Sequence, residues 1–275
     1  MGNLKLPQAA VVTGAASGIG RAIVLALARR GDAVVAADID AEGLHQTAVD
    51  ARALGSTVFP ITTDVSNESA IEQLAEAAFG VAERVHLLVN NAGVLVSGNC
   101  WQTSLEDWNR TLDTNLWSVI HAARSFVPRM LESGGHIVNI ASMAGLTPGR
   151  ELAAYTVSKY GVVALSECLA AELASLGASI KVSVVCPGAV RTGIASSLQH
   201  DDTAGLTRAG INSTLRDVIR DGMAPEILAE HLLSEVDAGK FWIVPREVLA
   251  AVEDRATEIL RSASRPASYT EAPCH

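Results

Sequence analysis

Aromatic side chains are scarce here: four Trp, three Tyr and four Phe among 275 residues. A core of this size must then be filled mainly by Ala, Val, Leu and Ile. That is the composition of a parallel sheet covered by helices. Positive charge is the minority sign, with 21 Lys and Arg against 30 Asp and Glu and a net charge of -9. This balance argues against a general binder of phosphate backbones, so no nucleic-acid partner is expected. It leaves room for a nucleotide held by helix ends and backbone amides. The four cysteines, Cys100, Cys168, Cys186 and Cys274, lack the close spacing of a zinc or redox site. They read as reduced thiols, all buried except Cys274. The seven histidines are scattered, and none pairs at metal-ligand spacing, so no metal is expected. No apolar run reaches membrane-spanning length. The first ten residues lack the apolar core of a signal peptide, and the sixth position lacks the Ser or Thr of an acylation signal. A cytoplasmic protein with no membrane partner is expected.

What the chain does contain is a repeated alternation of short apolar runs and amphipathic stretches. Strands are expected at Ala9–Thr13, Ala33–Asp38, Thr57–Ile61, Val85–Asn90, Gly135–Ala141, Ile180–Cys186 and Lys240–Pro245. Helices fall between them, among them a long one from Ser104 to about Leu131 and another from Leu152 to Leu176. Ser66 or Asn67 can cap the helix that follows the third strand. No repeat or linker divides the chain, so one domain over 1–275 is expected. Periodicity loosens over 193–223, as in a substrate lid, and 262–275 reads as a flexible tail.

The first strand runs straight into Gly14-Ala-Ala-Ser-Gly18-Ile-Gly20 and a helix. A turn of this kind lets a pyrophosphate approach the backbone and places a helix N-terminus against it. Asp38 ends the next strand, where a carboxylate accepts hydrogen bonds from ribose hydroxyls and repels a 2′-phosphate. Neither Ser17 nor Ile39 is basic, which favours NAD over NADP. Gly14, Asp38, Asp64, Asn91, Ser142 and Gly188 all fall at carboxyl ends of expected strands, where ligands gather in parallel sheets.

Tyr155 and Lys159 share one face of a helix. Alone, the pair reads better as a solvated helix face. Beside a nucleotide fold it gains a purpose, because a nearby ammonium can lower a phenol's pKa and fit it for proton transfer to or from an alcohol oxygen. Ser142, just beyond the fifth strand, is placed to hold that oxygen. Asn115 lies inside the long helix, where asparagine is a poor helix former. It can hold a water, bend the helix, or serve as a core polar residue.

Together these residues resemble the short-chain dehydrogenase/reductase family over roughly 8–192. The motifs are Thr13-Gly-Ala-Ala-Ser-Gly-Ile-Gly20, Asp64, Asn90-Asn-Ala-Gly93, Asn115, Ser142, Tyr155, Lys159, Pro187-Gly188 and Thr192. The resemblance implies a Rossmann-type, doubly wound, mostly parallel seven-stranded sheet and a homotetramer or homodimer. It implies NAD lying along Gly14, Ser17, Gly18, Ile19 and Gly20, with Asp38 on the ribose and Asp64 and Val65 at adenine. Asn91, Ala92 and Gly93 would lie beside it, and Pro187, Gly188, Val190 and Thr192 near the carboxamide. Asn115, Ser142, Tyr155 and Lys159 would be catalytic. Lys159 would bind the nicotinamide ribose and lower the pKa of Tyr155, and Asn115 would hold a water leading from Lys159 to solvent.

The expected substrate is a small-molecule secondary alcohol or ketone, apolar or bulky, contacting Ser142, Met143, Leu152 and Tyr155. Leu95, Leu146, Ile194 and Leu198 are further candidate wall residues. Trp108, Trp117 and Phe126 suit either the core or a subunit surface, the core being favoured. The alternatives are a non-catalytic NAD(H)-binding regulator on the same fold and a reductase of carbon–carbon double bonds. The filled catalytic positions oppose the first, and the four-residue Tyr155–Lys159 spacing opposes the second.

Overall fold

The structure is a computed structural model that describes residues 5–198 and 205–262. Its strands are β1 (Ala9–Thr13), β2 (Val34–Asp38), β3 (Val58–Thr62), β4 (Val85–Asn90), β5 (Gly135–Ile140), β6 (Ile180–Val185) and β7 (Trp242–Ile243). They form one sheet in the order β3-β2-β1-β4-β5-β6-β7, and every neighbouring pair is parallel. The mostly parallel seven-stranded expectation is thus met with no antiparallel edge. β7 keeps only two residues of the longer run expected from Lys240 to Pro245.

Parallel strands are buried on both faces, and β1 shows how. Ala10 and Val12 join a core cluster with α1 (Gly18–Arg29), α2 (Ala41–Ala53) and α8 (Pro225–Asp237). Ala9 and Val11 point to the opposite cluster, with α3 (Glu68–Val81), α5 (Ser118–Met130) and α6 (Ala153–Ser175). Three helices therefore cover each face. The chain order reverses between β1 and β4, and this opens a crevice at their carboxyl ends, the usual ligand position in a doubly wound sheet.

Local chemistry sets several element ends. Asp40 caps α2 by accepting from the Glu42 and Gly43 amides, and Asn67, one of the two residues expected to do so, caps α3. The long helix expected from Ser104 to Leu131 is interrupted. It is α4 (Leu105–Leu112), a π turn over Asp113–Trp117, and α5. Asn115 sits inside the π turn and is buried, its side chain bonded to the Val94 backbone, so it serves as a core polar residue where the regular helix is interrupted. The loosely patterned 193–223 is also more regular than its composition suggests. It holds a 3-10 turn at Gly193–Ser197 and α7 (Gly205–Arg220). The last helix, α9, spans Arg246–Ser262.

Two burial expectations fail. Cys186 is buried, but Cys100 and Cys168 are exposed, because Cys100 lies in a loop and Cys168 on the outer face of α6. Cys274 and the tail beyond Ser262 lie outside the described residues, as do 1–4. Phe126 is fully buried, whereas Trp117 is 47% exposed and its ring stacks on His121. Trp108 is half-buried. No helix among the described residues is long and apolar enough to cross a membrane.

Candidate active site

Backbone geometry builds the β1 side of the crevice. Gly14 and Gly18 have positive φ, +67° and +52°, a region that glycine enters without steric cost. A Cβ on Gly20 would lie 2.0 Å from the Gly14 carbonyl oxygen, so helix and turn touch backbone to backbone. The Asn91 side-chain amide donates to the Thr13 and Gly14 carbonyls at 2.9 and 3.2 Å. The Thr13 hydroxyl accepts from the Asn91 and Ala92 amides at 3.0 and 3.2 Å. Thr13 stood in the glycine motif, but its hydroxyl was not singled out from the sequence.

The opening of α1 suits an anionic ligand. Ser17 does not cap it through its side chain, and its first turn carries no acid. Its leading amides, at Gly18, Ile19 and Gly20, therefore keep the partial positive charge of an uncapped helix start. Asp38 lies beside this turn, accepting from the Ala16 amide at 2.8 Å and the Asp40 amide at 2.9 Å. Across the crevice Thr192 packs on the turn, since a Cβ on Gly18 would meet its side chain at 3.0 Å. These features fit a dinucleotide: a phosphate-sized backbone cradle, a free helix start and a carboxylate one strand away.

The two residues expected at adenine, Asp64 and Val65, follow β3. Asp64 is exposed and turned to its own loop, accepting from the Ser66 amide and hydroxyl at 3.0 and 2.7 Å. Val65 is 7% exposed and packs in the core with α3.

The carboxyl end of β5 and the start of α6 form the other wall. Ser142 opens a 3-10 turn at Met143–Gly145, and its Oγ accepts from the Ala144 amide at 3.1 Å. That bond occupies a lone pair, and the hydroxyl is also within hydrogen-bonding reach of the Tyr155 phenol, so both side chains face the place of an incoming oxygen. Lys159 is 4% exposed and donates from Nζ to the Ile140 carbonyl at 2.8 Å. Nζ lies 5.8 Å from the centroid of the Tyr155 ring. Asn115 Oδ1 accepts from the Val94 amide at 2.8 Å, while Nδ2 donates to the Val94 carbonyl and to Ser158 Oγ, both at 3.0 Å. Ser158 in turn donates to the Tyr155 carbonyl at 2.7 Å. Sequence reasoning missed Ser158, whose type gives no signal in a helix.

Burial dominates the electrostatics. It pushes the Tyr155 phenol above its ordinary value, and the Ser142 hydroxyl draws it partly back. Lys159 is pushed down to about 8. Cys186, beside it, is pushed up to about 12 by its own burial, so at neutral pH it is an uncharged thiol and gives Lys159 no counter-charge. Burial is the leading cause at both Tyr155 and Lys159.

Beyond Tyr155 the site turns apolar. Leu95, Leu198 and Ile219 form a buried cluster against which Leu152, Tyr155, Ile194, Ala195 and Leu215 pack. Four expected wall residues, Leu95, Leu152, Ile194 and Leu198, meet here. Leu146 belongs instead to the cluster under β6, and Met143 is 39% exposed with its side chain in neither group. Leu215 and Ile219, both on α7, were not foreseen. Ser197 Oγ bonds the Leu95 amide and carbonyl at 2.9 and 3.1 Å, and Ser97 donates to Asn212 of α7. The helix is thereby tied to the loop after β4.

Comparison with known proteins agrees with this geometry. A family model described as short chain dehydrogenase matches residues 8–203. A 1-deoxy-11-beta-hydroxypentalenate dehydrogenase of Streptomyces avermitilis is 39% identical over 271 residues, which cover 97% of this chain and 95% of that one. A short chain dehydrogenase/reductase of Burkholderia phymatum, solved in complex with NAD, superposes with a TM-score of 0.88 at 34% identity, covering 98% and 100% of the two chains. An actinorhodin polyketide ketoreductase variant with NADPH gives a TM-score of 0.74 at 32% identity, covering 86% and 95%. Matched over most of its length in both sequence and fold, the chain belongs to the short chain dehydrogenase family and is an oxidoreductase.

Proposed function

We propose that the protein interconverts a bulky, largely apolar secondary alcohol and its ketone, with NAD(H) as cofactor. The observation that carries this reading is the meeting of Ser142, Tyr155 and Lys159 between the phosphate-type cradle at Gly14–Gly20 and the apolar wall of Leu95, Leu152, Ile194 and Leu198. Asp38 supports NAD, because a 2′-phosphate beside its carboxylate would be repelled and exposed Ile39 offers no compensating charge. The hydroxypentalenate dehydrogenase relative supports a bulky substrate. One relative structure holds NAD and another NADPH, so the cofactor preference rests on Asp38.

When bound, the nicotinamide supplies the hydride acceptor or donor. The chain's own residues do the rest. Ser142, which faces Tyr155, donates its hydroxyl proton to the substrate oxygen once that oxygen lies between them, and so fixes the carbinol carbon. In reduction, Tyr155 delivers its proton to that oxygen, and the phenol form favoured by burial is the form required. In oxidation, Tyr155 must lose its proton first, and the charge of Lys159 assists. Asn115 braces the loop at Val94 and, through Ser158, the first turn of α6. A water linked to Lys159 would be held by the backbone of the π turn, because the Asn115 side chain is committed to Val94 and Ser158. Leu215 and Ile219 support a lid role for α7, which falls within the expected 193–223. The exposed Trp117 is consistent with a dimer or tetramer.

The test is a fluorescence titration with NADH and NADPH, followed by turnover of a panel of bulky cyclic alcohols and ketones. Wild type should prefer NADH. Asp38→Ala should weaken NADH binding by about tenfold, the scale of one charge-assisted contact, and narrow the preference. Tyr155→Phe should keep NADH binding and lose turnover by at least about a thousandfold. Near-normal turnover in that variant would remove the assigned acid–base. NADH binding without turnover of any panel member would favour the regulator instead.

A further inference from the structure

Tyr160 lies five positions beyond Tyr155 on α6, outside the chemistry just described. Its hydroxyl donates to the carbonyl of Leu146 at 2.6 Å. Leu146 closes the 3-10 turn that Ser142 opens. The near end of this turn is fixed to the segment after β6, the Met143 amide donating to the Pro187 carbonyl at 2.9 Å. Within it, the Gly145 and Leu146 amides bond back to Ser142 and Met143. The turn is pressed on α6 so closely that a Cβ at Gly145 would stand 2.7 Å from the Lys159 carbonyl. At its far end, the hydrogen bond from α6 is the one Tyr160 makes.

A second contact bears on the same ring. The Arg255 guanidinium, from α9, sits 5.4 Å from the centroid of Tyr160. Arg255 is exposed, and among the α9 residues Val248 is the buried one. α9 therefore gains little from core packing, and its charge over the ring is a specific link between this terminal helix and α6. A ring held from outside by a cation keeps its hydroxyl aimed at Leu146.

We infer that Tyr160, backed by Arg255 of α9, is a positioning residue that holds the Met143–Leu146 turn against α6 and so keeps Ser142 aimed at the substrate oxygen. The inference rests on the role given to Ser142 above. Without the Tyr160 bond the turn keeps its fold but gains freedom, so Ser142 spends less time in the productive geometry. The loss should then fall on kcat rather than on cofactor binding.

Hydrogen exchange of the full chain, read by mass spectrometry on the peptide covering 143–149, tests the latch whatever the reaction is. Tyr160→Phe should speed exchange there by about tenfold, the scale of one hydrogen bond, and leave the peptides of β1 and α1 unchanged. It should lower kcat by a similar factor with NADH affinity unchanged. Arg255→Ala, at an exposed position, should do the same to a lesser degree, Arg255→Lys should restore most of the loss, and Arg255→Ala should add little in the Tyr160→Phe background. Unchanged exchange at 143–149 would overturn the latch. Faster exchange with wild-type kcat would overturn its positioning role. Ser142→Ala, measured in the same series, separates the two ideas, because full turnover in that variant would overturn the assignment of Ser142 itself.

Discussion

The two sides of the crevice are made of different material. On the β1 side, main chain meets main chain: Gly20 lies against the Gly14 carbonyl, Asn91 bonds two carbonyls, and Asp38 holds the Ala16 amide. On the α7 side, Leu, Ile and Ala side chains from four separated segments meet around the Tyr155 ring. A contact between backbones leaves no room for adjustment. A contact between aliphatic side chains can repack. The first arrangement should be intolerant of single atoms and the second forgiving.

A methyl group added on each side breaks or sharpens that contrast most strongly. Gly20→Ala would put a Cβ 2.0 Å from a carbonyl oxygen and 2.6 Å from the Asn91 amide, whereas a Cβ at Gly193 meets nothing within 4 Å. Gly20→Ala should cost about 3 kcal/mol in urea unfolding and weaken NADH binding by at least about a hundredfold, as over-packing against rigid backbone does. Gly193→Ala should leave both within about 0.5 kcal/mol of wild type. Equal effects in the two variants would remove the distinction between the sides.

Lys159 sits at the seam between them and gives a smaller, pH-dependent effect. Burial lowers its folded-state pKa to about 8 from 10.5. In the unfolded chain the ammonium keeps its proton to higher pH. Between these values the unfolded state binds more protons, so stability rises with pH through this window, and the cost of the buried charge is fully present below about 8. Relative to Lys159→Met, wild type should gain roughly 1 kcal/mol of unfolding free energy between pH 7 and pH 9. Parallel pH profiles would mean that the ammonium is solvated in the folded protein.

The same difference of material explains what was legible beforehand. Glycine spacing, Asp38, Asn91 and the Ser142–Tyr155–Lys159 set are chemically specific, because backbone approach and proton transfer admit few residue types. The glycine turn, Asp38, Asn91 and Ser142 could be placed at strand ends, and Tyr155 and Lys159 on one helix face, from the chain alone. The apolar wall was half legible. Leu95, Leu152, Ile194 and Leu198 were named, but Leu215 and Ile219 were not, because the loose pattern of 193–223 concealed the inner face of α7. The π turn was legible only as an asparagine in a poor place. Burial of Val65 and exposure of Met143 were not legible at all, since each depends on which way one residue of a turn faces. Spacing along a helix likewise shows that Lys159 is near Tyr155, but not how much water the fold removes from both groups.

Removing one methyl group from the α7 side gives the smallest effect and the closest counterpart to Gly20→Ala. Ile194 is half-buried against Leu95, Leu198 and Tyr155. Ile194→Val should cost no more than about 1 kcal/mol in stability, because neighbours on a partly open wall can close over a single lost methylene. NADH affinity should not change, since the Ile194 side chain packs into the apolar cluster rather than on the glycine turn. KM for the bulkiest panel ketone should shift by about threefold, and KM for the smallest should not, as expected when one methylene is worth about 1 kcal/mol of contact only to a substrate that reaches it. A change in NADH affinity as large as the change in KM would mean that the apolar wall and the backbone cradle act as one unit, and the division between them would have to be redrawn.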